Sequence, residues 1–392
     1  MIFPLLRPSR RHLPSLLEVS FSQKPGLWHL RRLLFNDQRV KIPNKSCCRD
    51  ENSPISILMP PTIEGIPVKQ LNRRHFLAGT TAISTIPFLV TPTQAAPIVK
   101  KTTYTYKTVE KLEIKLDVYR ADDRAVRPLA VWIHGGALIM GHREGISGRV
   151  KKDLLEAGYA LASIDYRLAP ETKLNHIISD VEDAFGWLHK NSQMLNVSPN
   201  KTAVLGGSAG GYLTLTSGFR AKPRPTVLVS FWGYGDLIGD WYSTPSKHAR
   251  HHRSNLSAEK AYEQVNGPPI SDSRQRAGDG GAFYQFCRQQ GRWPYEVSGF
   301  DPATTPEKFK PFMPLANVAA GYPPTLMIHG TTDTDVPYEQ SVLMQKVLQK
   351  NRIEHRLITI EDGEHGLSGG DRQAIDAAYG AVVPFINKHM AT

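Results

Sequence analysis

The chain has 392 residues, of which 40% are hydrophobic and 21% are charged, and this composition indicates a folded domain with a large core. The formal net charge of +12 is uneven, because residues 1–96 contain 13 Lys and Arg against 5 Asp and Glu, whereas residues 97–392 contain 35 against 31. The body has no basic run interleaved with aromatic residues, so we expect no nucleic-acid partner.

The stretch that follows Arg73-Arg74 has the pattern of an export signal. An uncharged, modestly apolar segment over 78–90 comes after the basic pair, and it is too short to span a bilayer, which takes about 20 residues. Small residues ending at Ala95 provide a cleavage site, and the arrangement resembles a twin-arginine signal. We therefore predict a signal peptide over 59–95 that directs the chain to the periplasm or the outside of a bacterial cell.

Residues 1–58, ahead of this signal, are basic and have no sustained period of apolar residues. We expect no domain there and interpret the segment as a disordered or mis-called extension, with Met59 as the true start of the chain. No cysteine follows the predicted cleavage site, so we expect no lipid anchor and no stable attachment to a membrane.

Strand and helix patterns alternate from Thr102 onwards, in what we take to be one domain over 96–392. Residues 112–119 alternate apolar and polar side chains, which is the period of a half-buried strand. Short apolar runs and helical spacings then follow in turn. The runs are 129–133, 160–164, 203–205, 227–231 and 325–328, and the helical segments include 177–188, 338–348 and 374–386. This order predicts a mostly parallel sheet flanked by helices, with an antiparallel start.

Residues 233–312 interrupt this alternation, because they show no steady period and are too many for an ordinary connection. We predict a cap-like insertion over a functional site. Its basic segment at 247–253 is expected to be a solvated loop rather than a metal site, since no second cluster of ligands matches it. Cys287, the single cysteine of the body, is expected to be a small buried hydrophobe.

The sequence Gly206-Gly207-Ser208-Ala209-Gly210 matches the pattern of a nucleophile turn, in which a serine sits between a strand and a helix. A short apolar run precedes it and an apolar helical stretch follows it, which is the context that the turn requires. The glycines are needed because neighbouring side chains would clash in so sharp a turn. We therefore predict Ser208 as a nucleophile.

A second glycine motif, His134-Gly135-Gly136-Ala137, follows the predicted strand at 129–133. Two glycines allow a backbone to approach a bound molecule closely and to turn its N–H groups toward it. The N–H of Ala209, next to Ser208, would be a companion donor. We predict that these groups stabilise the negative oxygen of a tetrahedral intermediate.

A serine hydroxyl needs a base, and the base needs an acid that orients it, in the chain order serine, acid, histidine. Asp333 and Asp335 directly follow the predicted strand at 325–328, and both are candidate acids. His365 lies between glycine-rich residues after the last predicted strand. The three side chain types occur in the required order, so we predict His365 as the base.

Together these motifs resemble the branch of esterases related to hormone-sensitive lipase, including bacterial acetyl and feruloyl esterases. The segment Asp165–Glu171, with Asp180 and Trp187 downstream, adds to the resemblance. The resemblance implies an α/β-hydrolase fold with an eight-stranded sheet, and it favours Asp333 as the acid because Val336 and Pro337 complete the family's pattern. It also implies oxyanion donors at Gly135, Gly136 and Ala209. The chain departs from the family at Ala137, where many members have a third glycine.

The implied activity is hydrolysis of carboxylic esters, with short-chain, acetyl or aromatic groups, through an acyl-enzyme on Ser208. The substrate is expected to be a small molecule or an ester on a polysaccharide, and no cofactor or metal is implied. Two other functions stay open. One is an exported serine peptidase of the same fold, and the other is a non-catalytic binding protein.

Overall fold

The computed structural model describes residues 98–391, so the predictions for 1–58 and for the signal over 59–95 fall outside the described residues. One sheet of eight strands organises the described part. Its strands are β1 (Val99–Val109), β2 (Leu112–Ala121), β3 (Arg127–Ile133), β4 (Ala160–Ile164), β5 (Val197–Gly207), β6 (Val227–Phe231), β7 (Thr325–Gly330) and β8 (His355–Ile360).

The strands lie in the order β1-β2-β4-β3-β5-β6-β7-β8. β1 and β2 form an antiparallel hairpin, β2 is also antiparallel to β4, and β3 to β8 run parallel to one another. All residues of β4, β6 and β7 are buried, because helices cover both faces of the sheet. The predicted α/β-hydrolase fold, with its antiparallel start, is therefore confirmed.

Two layers of helices sandwich the sheet. The cluster on one face includes α2 (Leu174–Lys190), α4 (Ala209–Arg220) and α10 (Glu339–Lys350), and the cluster on the other includes α1 (Gly148–Glu156), α11 (Arg372–Gly380) and α12 (Val382–Met390). The remaining α-helices of the described region are α3 (Ser192–Leu195), α5 (Asp240–Ser243), α6 (Ala258–Tyr262), α7 (Gly281–Gln290), α8 (Trp293–Ser298) and α9 (Pro314–Asn317).

The segment predicted to be helical over 374–386 is helical in the structure except at Ala381, which separates α11 from α12. Pro384 has no N–H, so it cannot donate to the carbonyl one turn earlier, at Gly380. A proline is tolerated in the first turn of a helix, and it occupies that place in α12.

The insertion between β6 and β7 contains the short helices α5 to α9 joined by turns. Two of its large side chains, Phe283 and Trp293, are buried in the same apolar cluster as α2 and α4. Complete burial of such a side chain contributes about 1.5–3 kcal/mol. The insertion is therefore packed onto the body through an apolar core of its own residues and those of α2 and α4.

The carboxyl ends of the parallel strands meet at one edge of the sheet, where ligands bind in folds of this class. β3 leads there into Gly135, β5 into Ser208, β7 into Asp333 and β8 into His365. Within 98–391, no helix is long and apolar enough to cross a bilayer. The same residues contain no group of three or more His, Cys, Asp or Glu side chains placed to hold a metal ion.

Candidate active site

Ser208 lies in a strained turn between β5 and α4, with φ of +58° and ψ of −124°. A residue with a side chain adopts this conformation at a cost of about 1–3 kcal/mol, so the surrounding structure must enforce it. The glycines make the turn possible. A Cβ on Gly206 would lie 2.4 Å from the carbonyl oxygen of Gly210, and one on Gly210 would lie 2.1 Å from that of Ile133. The Ser208 N–H donates to Phe231 at 2.9 Å and ties the turn to β6.

The loop after β3 lies against this turn. A Cβ on Gly135 would lie 2.7 Å from the Gly207 carbonyl oxygen and 3.3 Å from the Cβ of Ser208. The N–H groups of Gly135 and Gly136 donate no hydrogen bond among the described residues. The N–H of Ala209, at the start of α4, has no partner within its own helix. Three backbone donors next to the serine are thus available to a negative oxygen.

The buried ring of His134 packs beneath the Gly135 backbone on Tyr166 and stabilises this loop. Its ring stacks on Tyr166 with centroids 4.2 Å apart, and its Nδ1 lies 2.8 Å from the carbonyl oxygen of Gly135. Burial lowers the pKa of His134 to about 4. The ring is therefore neutral near pH 7, and Nδ1–H donates to the Gly135 carbonyl. We assign His134 a structural role.

His365 and Asp333 are in direct contact, with Nδ1 of the histidine 2.8 Å from Oδ2 of the aspartate. The other carboxylate oxygen of Asp333 accepts the N–H groups of Asp335 and Val336 at 2.8 and 2.9 Å. Burial alone raises the pKa of Asp333, but hydrogen bonds from His329 and His365 outweigh it and hold the pKa at about 2. The carboxylate is charged and fixed in place.

His329, in β7, is a second histidine at this carboxylate, and none of the sequence motifs indicated it. Its Nε2 lies 3.0 Å from the Val336 carbonyl oxygen and 3.3 Å from Asp333 Oδ2, while its Nδ1 lies 2.7 Å from Ser341 Oγ. The ring is fully buried. A histidine four residues before a candidate acid is the only sequence signal for it. It holds the loop that carries Asp333.

Asp335 is bound to the insertion. Its Oδ1 accepts hydrogen bonds from His251 Nε2, Tyr284 Oη and Arg288 Nη1 at 2.9, 2.6 and 3.0 Å. Its Oδ2 lies 3.6 Å from Nε2 of His365. Burial lowers the pKa of His365, but the hydrogen bond to Asp333 and the charges of both aspartates outweigh it and raise the pKa above its ordinary value. Of the two candidate acids, Asp333 contacts Nδ1 and Asp335 faces Nε2.

His251 corrects one expectation, since the segment 247–253 is not a fully solvated loop. The side chain is 2% exposed and donates to Asp335, with Ser246 Oγ 2.7 Å from its other nitrogen. A buried carboxylate requires such partners because its charge is otherwise costly in the protein interior. No sequence pattern indicated this pairing, which joins residues 84 positions apart.

Trp232, after β6, links the two halves of the site. Its ring would be 3.3 Å from a Cβ on Gly207, and its centroid lies 6.2 Å from that of His365. Ser208 and His365 form no hydrogen bond with each other in the described region. Such contacts are often loose without substrate and tighten when it binds. The structure thus brings the predicted acid, Asp333, into contact with the predicted base, His365. It also brings the loop with the predicted oxyanion donors against the turn of Ser208.

Two family models match separate parts of the chain. The BD-FAE model matches residues 116–233, which contain Ser208 and the Gly135-Gly136 loop. The model of the prolyl oligopeptidase family matches residues 286–392, which contain Asp333 and His365.

Solved structures with the same fold are similar at low identity. An α/β hydrolase superfamily protein from Enterococcus faecalis has a TM-score of 0.58 and 21% identity, covering 74% of this chain and 99% of its own. A truncated carbohydrate esterase from gut microbiota has a TM-score of 0.54 and 20% identity, covering 74% and 97%. Among curated proteins, a non-reducing polyketide synthase of Penicillium roqueforti is 26% identical over 346 residues. That match covers 74% of this chain but only 14% of the synthase.

Proposed function

We propose that this chain, which belongs to the α/β-hydrolase superfamily, is a serine esterase that hydrolyses carboxylic esters through an acyl-enzyme. The observation that carries the proposal is the strained Ser208 turn facing the unpaired N–H groups of Gly135 and Gly136. A serine is placed in this way where a tetrahedral oxyanion is to be stabilised. The buried Asp333–His365 pair at the same edge of the sheet supplies the base.

In the first step, neutral His365 accepts the Ser208 proton through Nε2 as the serine oxygen attacks the ester carbonyl carbon. The oxyanion is stabilised by the N–H groups of Gly135, Gly136 and Ala209, each contributing about 3–4 kcal/mol as judged from the loss of one such donor. Asp333 stabilises the imidazolium, which then protonates the leaving alcohol as its C–O bond breaks. Water next attacks the acyl-enzyme with His365 again as base, and the acid is released.

For the substrate we propose short acyl or aromatic esters, including those on polysaccharides. Two observations favour this class. The longest helix of the insertion, α7, has 10 residues, so the described chain has no long apolar lid of the kind that covers a lipid chain. The second is the fold shared with the carbohydrate esterase from gut microbiota. Release of acetate from acetylated xylan, set against p-nitrophenyl esters of increasing acyl length, tests it.

Export is part of the proposal, through the predicted twin-arginine signal over 59–95. N-terminal sequencing of the natural protein tests it, with a mature start at Ala96 as the expected result. A peptide from within 1–58 in the natural precursor would contradict the predicted start at Met59.

A serine peptidase is the second candidate, because the prolyl oligopeptidase family model matches residues 286–392. That match includes Asp333 and His365 but not Ser208. Hydrolysis of p-nitrophenyl acetate but not of a peptide p-nitroanilide favours the esterase, and the reverse result favours the peptidase. Hydrolysis of neither substrate would favour the third alternative, a non-catalytic binding protein.

The decisive experiment uses the Ser208→Ala variant of the full chain. We expect kcat/KM for p-nitrophenyl acetate to fall by at least about a thousandfold, because the acyl-enzyme cannot form. A fluorophosphonate should label the wild-type chain at Ser208 and leave the variant unlabelled. Ser179→Ala, which changes a half-buried serine on α2, is the matched control and should retain full activity. Unchanged hydrolysis by Ser208→Ala, or labelling at another residue, would refute the proposal.

A further inference from the structure

The loop that carries Gly135 and Gly136 continues through two residues in an unfavourable conformation. Ala137 and Leu138 have φ of +56° and +62°, the left-handed region that residues with a side chain rarely adopt. Both are buried. Two consecutive residues of this kind persist only if the surrounding structure holds them. What holds this loop therefore bears on the direction of its N–H groups.

The insertion supplies a donor for the carbonyl of Ala137. Trp293, at the start of α8, is 1% exposed, and its Nε1–H donates to this carbonyl at 2.9 Å. The indole stacks on Tyr242 with centroids 4.0 Å apart and an interplanar angle of 18°. Trp241 stacks on the same tyrosine ring at 3.7 Å and 20°. The donor thus belongs to a stack of three rings that restricts its movement.

The insertion also donates hydrogen bonds to the carbonyls of Ile139 and Gly141, further along the same loop. Arg276, whose side chain is 4% exposed, donates to Ile139 and, at 2.7 Å, to Ala169. The N–H of Ser273 donates to the carbonyl of Gly141 at 3.2 Å. The loop therefore contacts the insertion through the carbonyls of Ala137, Ile139 and Gly141, while its Gly135 lies against Ser208.

We propose that Trp293 is a positioning residue for the oxyanion site. Its N–H fixes the peptide plane between Ala137 and Leu138, and this plane directly follows the one that carries the Gly136 carbonyl. If the Ala137 carbonyl loses its donor, the two left-handed residues can relax, and the N–H groups of Gly135 and Gly136 turn away from the oxyanion. The inference rests on the proposed esterase function and adds the insertion to its machinery.

The test is Trp293→Phe, which keeps an aromatic ring in the stack and removes only the donor and part of the ring. We expect kcat for p-nitrophenyl acetate to fall about ten- to a hundredfold while KM changes little, since oxyanion donors act mainly on the transition state. The affinity for a trifluoromethyl ketone, which forms a tetrahedral adduct with the serine, should fall by a similar factor. The pH profile should keep its shape because the Asp333–His365 pair is unchanged.

Trp241→Phe is the matched control. It alters the neighbouring ring of the same stack, and the Trp241 N–H has no hydrogen-bond partner within the described residues. Its kcat should stay within about twofold of wild type. Arg276→Lys is a second test that leaves Trp293 intact; it retains the charge opposite Glu171 but lacks the fork that reaches two carbonyls, and it should also lower kcat.

Three results would overturn the proposal in different ways. Wild-type kcat and ketone affinity in Trp293→Phe would show that the donor does not position the loop. Equal losses in the Trp241 and Trp293 variants would assign the effect to packing of the stack. A raised KM with unchanged kcat would place Trp293 in substrate binding instead. Absence of ester hydrolysis by the wild-type chain would refute the proposed function itself, which keeps the two failures distinguishable.

Discussion

The imidazole of His365 lies between two carboxylates, with Nδ1 2.8 Å from Asp333 and Nε2 3.6 Å from Asp335. Both charges favour the imidazolium, and with the hydrogen bond to Asp333 they raise the pKa of His365 despite burial, which lowers it. As a base, His365 must be neutral, so activity is lost as the pH falls through this raised pKa. Asp335→Asn removes one of the two charges and should extend activity to lower pH.

The size of the effect follows from the distance. Two unit charges 3.6 Å apart interact by about 1 kcal/mol when fully screened by water and by about 4–5 kcal/mol at an effective dielectric constant of 20. Arg288 and Arg250 lie 3.0 and 3.7 Å from the same carboxylate and cancel much of its charge, so the lower figure applies. A loss of about 1 kcal/mol moves the midpoint of the acid limb of kcat/KM down by about 0.7 pH units.

The assay is kcat/KM for p-nitrophenyl acetate between pH 4 and 8. Asparagine retains an oxygen that can accept from His251 and Tyr284, but Arg288 loses a buried partner, so we expect destabilisation of about 3 kcal/mol as well. Asp117→Asn is the control because it also removes a buried, ion-paired carboxylate, on β2, and it should leave the acid limb in place. An unchanged or raised midpoint in Asp335→Asn would refute the reasoning.

Three further predictions concern Gly135, Asp333 and Cys287. Gly135→Ala should lower kcat about a hundredfold, because the new Cβ would lie 2.7 Å from the Gly207 carbonyl oxygen and displace the oxyanion loop; steady-state kinetics checks it. Asp333 has a folded-state pKa of about 2, so at pH values above its unfolded-state pKa its charge should stabilise the folded state by roughly 2 kcal/mol. This stabilisation is lost as the pH falls toward 2. In urea unfolding, the stability difference between wild type and Asp333→Asn should therefore shrink by roughly half between pH 5 and pH 3. Burial raises the pKa of Cys287, so a thiol reagent should label it only after unfolding.

The fold could be predicted from the sequence where single strands are buried on both faces. The apolar runs at 160–164 and 227–231 coincide with β4 and β6, because such runs between turn residues have few alternatives. The break between α11 and α12 was missed, since the apolar period continues across it and only Pro384 marks it. Element boundaries depend on such single hydrogen bonds more than on periodicity.

The candidate site could be predicted where chain order and glycines determine it. A Cβ at Gly206 or Gly210 would lie within 2.5 Å of a backbone oxygen, so these positions require glycine. Their spacing around Ser208 is therefore a strong signal in the sequence. The preference for Asp333 over Asp335 agrees with the contact to Nδ1 of His365. Assignment of catalytic roles to these residues stays a prediction until the variants are measured.

The sequence predicted the insertion over 233–312 but not its contacts with the site. His251 and Tyr284 bind Asp335, yet each lies more than 50 positions from it along the chain. Such pairs produce no local periodicity, because the partner side chains meet only after the sheet has formed. A basic segment and an aperiodic stretch look the same in sequence whether they are solvated or buried against a carboxylate.

One segment of the insertion, α7 and α8, contacts both halves of the proposed machinery. Arg288, on α7, donates to Asp335 beside the base, and Trp293, on α8, donates to Ala137 beside the oxyanion donors. The backbone N–H of Arg292, the residue before α8, donates to the carbonyl of Cys287 on α7 and so links the two helices directly. A shift of this segment would therefore move the acid loop and the oxyanion loop together. Irregular sequence in this region is compatible with a precise site because four residues, 289–292, rather than a repeated pattern, connect the two contacts.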